Sequence, residues 1–329
     1  MPDDLEPDSR RAGFHRAIYL TGPTASGKSA IGVELARLLD AEIIALDSMT
    51  LYRGMDIGTA KPTSEERGGI EHHLIDVLDP WEGSSVADYL ARSGDAIERI
   101  EARGKRVLFV GGTPLYLKAC LRGIFDGPGA DQRLRADLIA IVERDGATTL
   151  HDRLRRVDPA TAERLHPHDV RRVVRALEIH ELTGRTASDL QREHDRPAPA
   201  EVRVIALERP RPQLHSRIDR RVEAMFEQGL EGEVARLRSG PLPLHSTPAQ
   251  AVGYLETSLL LDGAIDRATA IERTQARSRQ LAKRQETWFR GLAEVERLVV
   301  EDRSEPVEVA WAIGRRLASP GGIARSRDA

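Results

Sequence analysis

The sequence predicts an α/β protein with a mainly parallel sheet and an all-helical insertion domain. Short apolar runs alternate with helix-like stretches through about the first 120 residues, and one such run returns shortly after residue 200. That alternation is typical of parallel strands joined by helices. Between about residues 126 and 200, segments of helical periodicity follow one another without a strand-like run, which predicts the insertion.

Five apolar runs are predicted to be the strands of this sheet. They are AIYLTG (17–22), AEIIALDS (41–48), HHLIDVL (72–78), KRVLFVGG (105–112) and VRVIALER (202–209). Residues 1–15 are polar and aperiodic and are expected to form a flexible arm, whereas the chain after residue 210 is expected to be helical. The predicted core therefore combines residues 16–125 and 201–320.

The insertion, residues 126–200, is divided by turn-forming pairs such as Asp-Pro, His-Pro and Thr-Gly. These breaks delimit three predicted helices, Leu134–Val142, Thr148–Val157 and Val170–Leu182. Because none of the three segments has the strict alternation of a half-buried strand, the insertion is predicted to be helical throughout.

Composition restricts the possible classes of protein. The chain has 329 residues, 40% of them apolar and 31% charged, which is ordinary for a globular protein. No apolar run approaches the roughly 20 residues that span a bilayer, and the first residues lack the apolar segment of a secretory signal. The single cysteine, Cys120, cannot form an internal disulfide, so we expect a cytoplasmic protein. We also expect a monomer.

A phosphate-binding loop follows the first predicted strand. GPTASGKS satisfies the pattern G-x-x-x-x-G-K-[ST], between a strand and a helix as that motif requires. Its glycines allow backbone N–H groups to converge on phosphate oxygens at a helix N-terminus. The predicted phosphate-binding residues are Gly22, Pro23, Thr24, Ala25, Ser26, Gly27, Lys28 and Ser29.

This motif predicts a P-loop NTPase-like core that binds a diphosphate or triphosphate, without deciding between them. Lys28 is expected to reach the terminal phosphate, and the Ser29 hydroxyl is expected to coordinate Mg²⁺. The strand that ends at Val110 is followed by two glycines and Thr113 rather than by the acid of a typical P-loop hydrolase. The acid follows the second strand instead, at Asp47. Because strand ends line the ligand crevice of such sheets, Asp47 and Thr113 are predicted to face the loop.

Longer blocks resemble a known family, the tRNA dimethylallyltransferases. They include DSMTLYRGMDIGTAKP (47–62), GGTPLYL (111–117), HPHDVRRVVRALEIHELTG (166–184), QAVGYLE (250–256) and AKRQETWFR (282–290). The resemblance runs in order over about residues 16–292. It implies transfer of a dimethylallyl group from dimethylallyl diphosphate to N6 of adenosine 37, beside the anticodon of tRNAs that read codons beginning with U. The expected product is N6-dimethylallyladenosine.

The resemblance also implies roles for individual residues. Asp47 matches the general base and Thr113 the catalytic threonine. Residues that match or lie near stretches that touch tRNA are Asp47, Ser48, Met49, Thr50, Arg135, Arg171, Arg172, Val173, Val174, Arg175, Gln250, Gly253, Tyr254, Arg277, Lys283 and Arg284. The sequence departs from the family at Thr50, where many members carry Gln, and at Pro114, where Gly is commoner.

A late basic segment, Ile271–Arg290, is predicted to be one helix. At about 100° per residue, Arg277 and Arg284 share one stripe and Ala282 and Phe289 share an apolar side. Such a helix could grip tRNA phosphates while it packs on the core, although a solvated face with intrahelical ion pairs has the same pattern. Both Trp288 and Phe289 are predicted to be core anchors rather than base-stacking residues.

Three other functions are compatible with parts of the sequence. A small-molecule kinase would use the same phosphate loop, and an arginine cluster such as 171–175 could form its lid. A protein that only senses nucleotides would bind them in the same loop, but it would give Asp47 and Thr113 no evident function. Transfer to a free adenine nucleotide would need no grip on tRNA, so salt-sensitive tRNA binding distinguishes it from the tRNA enzyme.

Overall fold

The computed structural model of the chain describes residues 7–124, 127–194 and 197–318. Its six strands are β1 (Ile18–Thr21), β2 (Ala41–Ala45), β3 (His72–His73), β4 (Arg106–Val110), β5 (Arg203–Glu208) and β6 (Val295–Val299). They form one sheet in the order β3-β2-β4-β1-β5-β6, and every pairing is parallel. The parallel α/β architecture predicted from the alternating pattern is confirmed.

Fifteen helices accompany this sheet over the described residues. They are α1 (Pro7–Arg16), α2 (Lys28–Leu39), α3 (Val86–Ala102), α4 (Pro114–Arg122), α5 (Gln132–Asp145), α6 (Ala147–Val157), α7 (Pro159–Arg164), α8 (Val170–Thr183), α9 (Ala187–His194), α10 (Arg211–Glu227), α11 (Leu230–Arg238), α12 (Ser246–Ala249), α13 (Tyr254–Leu261), α14 (Arg267–Arg290) and α15 (Pro306–Ala318). Each of these helices is too short or too polar to cross a membrane.

Both faces of the sheet are buried. Along β1, Tyr19 belongs to one apolar cluster, whereas Ile18 and Leu20 belong to another. Neighbouring residues Ile43 and Ile44 of β2 divide between the clusters in the same way, as the two-residue period of a strand requires. Such double burial explains why the central strands are nearly continuous apolar runs.

Contacts divide the chain into two compact units. The smaller unit is Arg122–Pro197, and the larger combines the residues before and after it. The predicted insertion, 126–200, differs from the smaller unit by four residues at its start and three at its end. The smaller unit contains α5 to α9 around its own apolar core, which includes Leu138, Leu154 and Leu177.

Two expectations about the ends of the chain are wrong. The flexible arm predicted over 1–15 is helical from Pro7 onward, and Phe14 is buried while Arg16 pairs with Glu101 at 2.7 Å. Residues 1–6 lie outside the described residues. The chain after residue 210 is not entirely helical either, because Val295–Val299 forms β6. β6 escaped prediction because it is an edge strand that carries Glu296 and Arg297 between its apolar residues.

Candidate active site

The loop between β1 and α2 makes a tight, left-handed turn. Gly22 has φ +147°, and a Cβ there would lie 2.8 Å from the carbonyl oxygen of Leu207. Ala25 and Gly27 also have positive φ, at 62° and 93°. The turn brings the chain directly into α2, which begins at Lys28. The loop therefore presents backbone N–H groups and a helix N-terminus to the same side, as an anion site requires.

Two arginines hold this loop through its carbonyl groups. Arg217 Nε donates to Ala25 O at 2.9 Å, and Arg209 Nε donates to Ser26 O at 2.8 Å. Asp302 pairs with both guanidinium groups, at 3.3 and 3.6 Å. Thr24 N and Ser26 N already donate to Gln285 Oε1 and Pro23 O, which leaves the other N–H groups of the loop for an incoming anion.

Asp47 and Thr113 are held beside each other by the backbone of one segment. Asp47 Oδ1 accepts from Met49 N at 2.8 Å, and Thr113 Oγ1 accepts from Ser48 N at 3.1 Å. Thr113 N in turn donates to Leu46 O at 3.1 Å. Since Thr113 Oγ1 acts as an acceptor here, its own proton remains available to a ligand.

A cavity of about 430 Å³ lies over these residues. Its wall contains many of the predicted site residues, namely Thr24, Lys28, Ser29, Asp47, Ser48, Met49, Thr50, Thr113, Gln250, Tyr254, Arg277 and Arg284. The predicted convergence of the phosphate loop with Asp47 and Thr113 is thus present in the structure. Thr50 Oγ1 is buried in this wall and has no hydrogen-bond partner among the described residues.

Charge in the cavity is strongly perturbed by burial. Burial lowers the pKa of Lys28 to about 8; the nearby Arg221 lowers it further, while Asp47 opposes the shift. Burial likewise lowers the pKa of Arg221, again against the influence of Asp47. Within residues 7–124, 127–194 and 197–318, neither cation has an ion-pair partner; Lys28 Nζ donates to Pro23 O and Arg221 to Thr59 O. Partly buried cations without an ion-pair partner favour an anionic ligand.

Arg221 and its neighbours on α10 are functional candidates that the sequence did not reveal. Arg217, Arg220 and Arg221 line a second cavity, of about 520 Å³, together with Lys28 and Ser29 of the loop. In the sequence they belong to RIDRRV, which is indistinguishable from an ordinary solvated helix face. Only the packing of α10 on the core identifies them.

The predicted tRNA-binding segment around residue 250 is anchored by buried carboxylates. Glu256 accepts from Gly253 N at 2.9 Å and pairs with Arg277, which also donates to Gln250 O at 3.0 Å. Tyr254 donates to the buried Glu233 at 2.6 Å. Arg277 therefore shapes this segment directly, whereas Gln250 is exposed.

Helix α14 presents both exposed cations and a buried face. Lys283 and Arg284 are exposed, and Phe289 is buried as predicted. The expectation for Trp288 is wrong, since its side chain is 40% exposed. Trp288 and Phe289 do not share one side of the helix, because adjacent residues on a helix point about 100° apart.

The remaining predicted tRNA contacts lie in the helical unit. Val173 and Val174 are buried in its core, so the prediction for the range 171–175 now depends on its three arginines. Arg171 and Arg172 are exposed. Arg175 and the more distant Arg135 both donate to Glu178, at 2.5 and 2.8 Å, and Glu178 is fully buried.

The donors around Ser29 are of the kind that suits a magnesium ion. Across the described parts of the chain, no three His, Cys, Asp or Glu side chains converge on one metal position. Ser29 lines the larger cavity with Glu66 and the smaller one with Asp47. One hydroxyl and one or two carboxylates, with phosphate oxygens and water, suit Mg²⁺.

Fold and site together define an α/β protein whose phosphate-binding loop opens onto a cavity that carries a carboxylate, a threonine hydroxyl and two partly buried cations. The chain belongs to the IPP transferase family, whose model matches residues 50–292.

Individual relatives agree with this assignment over nearly the whole chain. The tRNA dimethylallyltransferase 1 of Trichlorobacter lovleyi is 43% identical over 298 residues, which cover 90% of this chain and 98% of that protein. The tRNA dimethylallyltransferase of Halorhodospira halophila is 45% identical over 300 residues, covering 90% and 97%.

Two solved structures are also similar. The tRNA isopentenylpyrophosphate transferase of Bacillus halodurans has a TM-score of 0.67 and 40% identity, covering 92% of this chain and 97% of that one. A eukaryotic dimethylallyltransferase acting on tRNA has a TM-score of 0.74 and 28% identity, covering 91% and 78%. These similarities confirm the family predicted from the sequence blocks and its fold.

Proposed function

We propose that this protein transfers a dimethylallyl group from dimethylallyl diphosphate to N6 of adenosine 37 in tRNAs that read U-starting codons. The observation that carries the proposal is the single cavity that joins the phosphate loop and Lys28 to Asp47 and Thr113. An anion site and a proton acceptor in one enclosed space suit a reaction that expels diphosphate and deprotonates an amine. The names of the relatives point to the same reaction.

The diphosphate end of the reaction uses the loop and its cations. As the bond between the allylic carbon and the bridging oxygen breaks, negative charge develops on the departing diphosphate. The N–H groups of the loop, with Lys28 and Arg221, are placed to stabilise that charge. Their desolvation makes the interaction stronger than it would be in water. Arg220 extends the positive surface into the second cavity.

The amine end of the reaction uses Asp47 and Thr113. The exocyclic amine of adenine is a weak nucleophile, and its proton becomes acidic as N6 bonds to the allylic carbon. Asp47 takes that proton, help that is worth about 10²–10⁴-fold in rate. Thr113 has a free hydroxyl proton to donate to the substrate. The balance is complete when the new N–C bond has formed, the C–O bond has broken and the proton lies on Asp47.

Magnesium is part of the proposal. Ser29 would hold it, assisted by Asp47 or Glu66 and by the substrate's own oxygens. When bound, the ion neutralises charge on the leaving diphosphate. The protein residues still carry the orientation and the proton transfer.

Binding of tRNA is assigned to the exposed cations of both units. Arg171 in the helical unit and Lys283 and Arg284 on α14 are exposed cations that could contact phosphates. Arg172 is exposed as well, although it pairs with Asp169 at 3.4 Å. The target base must leave its stack to enter a cavity. We place the reaction in the cytoplasm and assign it to a monomer.

The rival kinase has less support. Its phosphate loop would be the same, but the strand that ends at Val110 carries Gly111, Gly112 and Thr113 where a hydrolase or kinase of this fold places an acid. Family membership also weighs against it.

The test is incubation of the protein with Mg²⁺, unmodified tRNA and labelled dimethylallyl diphosphate, followed by digestion and mass analysis of the nucleosides. Prenylated adenosine from the wild type, reduced about 10²–10⁴-fold in Asp47→Ala, is the expected result. Full activity in the variant would remove Asp47 as the base. Phosphate transfer from ATP to a small acceptor, without prenylated tRNA, would favour the kinase.

A further inference from the structure

Gln285 lies in the cavity wall at a point where two functional segments meet. It is on α14 and only 6% exposed. Its Oε1 accepts from Thr24 N in the phosphate loop at 2.8 Å, and its Nε2 donates to Gly112 O at 2.6 Å. Gly112 immediately precedes Thr113. One amide therefore connects the anion site to the segment that carries the catalytic threonine.

The side-chain amide of Gln285 is closely packed by its neighbours. A Cβ on Gly112 would lie 2.7 Å from Gln285 Nε2, 3.1 Å from Gly22 O and 3.3 Å from Lys28 Cε. The amide, the loop and the lysine stem thus meet at one glycine. Neither segment can shift by much without breaking a hydrogen bond or creating an overlap.

The hydrogen-bonding pattern fits an amide in one orientation. Thr24 N–H needs an acceptor and Gly112 O needs a donor, and a glutamine supplies one of each. An ionised carboxylate at the same position keeps the acceptor but faces the carbonyl oxygen of Gly112 without a proton. A protonated carboxyl group restores both functions.

We propose that Gln285 is a positioning residue that locks the phosphate loop to the Thr113 segment, so that the diphosphate and the reacting amine are held at a fixed spacing. The inference depends on the proposed function for its kinetic consequences. It also has a consequence for helix α14, since Arg284 and Leu281 line the same cavity. The helix assigned to tRNA thereby also sets the geometry of the leaving-group site.

Gln285→Met tests the lock by removing both hydrogen bonds while keeping the length of the side chain. We expect kcat for tRNA prenylation to fall by about 10- to 100-fold, because misplacement of reacting groups by about 1 Å costs that much. Affinity for inorganic pyrophosphate, measured by calorimetry, is expected to fall several-fold. Gln280→Met, the same change at an exposed position of the same helix, is expected to leave both unchanged.

Gln285→Glu provides a signature that a merely structural role would not give. Its activity relative to wild type is expected to rise from about pH 8.5 to about pH 6, because burial and the Gly112 carbonyl favour the protonated carboxyl. The ratio for Gln285→Met is expected to stay flat over the same range. Taking ratios cancels the pH dependence of groups that the substitution does not touch. Lys28, whose stem meets the same glycine, is a cation that opposes protonation of the new carboxyl group, so the rise measures the excess of burial and the Gly112 carbonyl over that cation.

Two results would overturn the inference. In the first, Gln285→Met has the same kcat and the same pyrophosphate affinity as Gln280→Met. In the second, the activity of Gln285→Glu relative to wild type is low and does not change with pH. Thermal melting of each variant identifies any loss of fold, and the pH ratio remains informative for a variant that melts early. If the wild type makes no prenylated tRNA, the proposed function fails. The pyrophosphate comparison still decides whether Gln285 holds the phosphate loop.

Discussion

The two units of this protein differ in whether their least exposed charged side chains have ion-pair partners. In the larger unit, Lys28 and Arg221 are partly buried and have no ion-pair partner among the described residues, and desolvation lowers the pKa of each. In the helical unit, Arg135 and Arg175 converge on Glu178, a fully buried carboxylate. A desolvated charge without a partner lowers the stability of the folded state, and such charges are common at ligand sites. A charge with well-placed partners instead contributes to the structure of the unit that holds it.

The largest effect on activity is expected from removal of a cation that has no ion-pair partner. Lys28→Met is expected to lower kcat/KM for dimethylallyl diphosphate by about 10³-fold, the upper range for one preorganised donor. Its melting temperature is expected to be unchanged or slightly higher, because a partly buried charge without a counter-ion disfavours the folded state. Steady-state kinetics and thermal melting measure the two effects.

Lys105→Met is the matched control, since Lys105 pairs with Asp40 in an exposed position. It is expected to alter neither quantity much. A Lys28→Met protein that melts well below wild type would contradict the view that this charge is kept for its ligand.

The converse experiment is removal of the partner in the helical unit. Glu178→Gln is expected to lower the free energy of unfolding by about 2 kcal/mol, less than for a fully buried pair because the two arginines are about one-third exposed. Chemical denaturation measures it, with the exposed pair partner Glu181→Gln as a control expected to cost under about 0.5 kcal/mol.

The pH dependence of Glu178 has a definite sign. Burial alone would raise its pKa, but hydrogen bonds from Arg135, Arg175 and Asp131 N hold the pKa below its ordinary value. Its contribution to stability is therefore present above the pKa of an unfolded glutamate and lost as pH falls through the lower, folded value. A cost for Glu178→Gln that persists unchanged in acid would contradict the assignment.

A third prediction concerns the titration of Lys28. Its pKa of about 8 in the free protein is expected to rise when a diphosphate binds, so binding takes up a proton above that pH. Affinity for dimethylallyl diphosphate should be constant between about pH 7 and about pH 8, above the range in which the diphosphate itself takes up a proton, and fall up to about tenfold per unit above it. Calorimetry at several pH values measures this fall in affinity. Lys28→Arg should move the fall to higher pH. If the fall stays at the same pH in the variant, a group other than Lys28 causes it.

The smallest expected effect comes from the exposed arginines of the helical unit. Arg171→Ala and Arg172→Ala are each expected to raise KM for tRNA a few-fold and to reduce the slope of log affinity against log salt by about one. Arg144→Ala, at an exposed arginine paired with its neighbour Asp145, is the control. Equal slopes in all three variants would exclude Arg171 and Arg172 from phosphate contact.

The sequence alone predicted the part of the site that lies in short motifs directly after strands. The phosphate loop, Asp47 and Thr113 follow strands whose apolar runs are continuous, so their positions at the sheet edge could be inferred. Arg221 and Gln285 could not be found in that way. Each belongs to a long helix rich in polar residues, and only tertiary packing determines which turn of that helix faces the cavity.

The same limit applies to the fold. β2 and β4 were predictable because both of their faces are buried. α1 was missed because its sequence, PDSRRAGFHR, offers little apolar periodicity, and it is held through Phe14 and single polar contacts such as Arg16 with Glu101. Elements of this kind are fixed by what they dock against, which local sequence does not encode.

Strand β6 also has a consequence for how copies of the protein behave at high concentration. As the outer strand of the sheet, it presents one row of backbone groups that another chain could pair with. Glu296 and Arg297 stand on this strand and are tied to Arg316 and Glu208. Charged side chains on an edge strand oppose sheet-to-sheet aggregation. The residues that hid β6 from prediction thus protect the solubility of the folded chain.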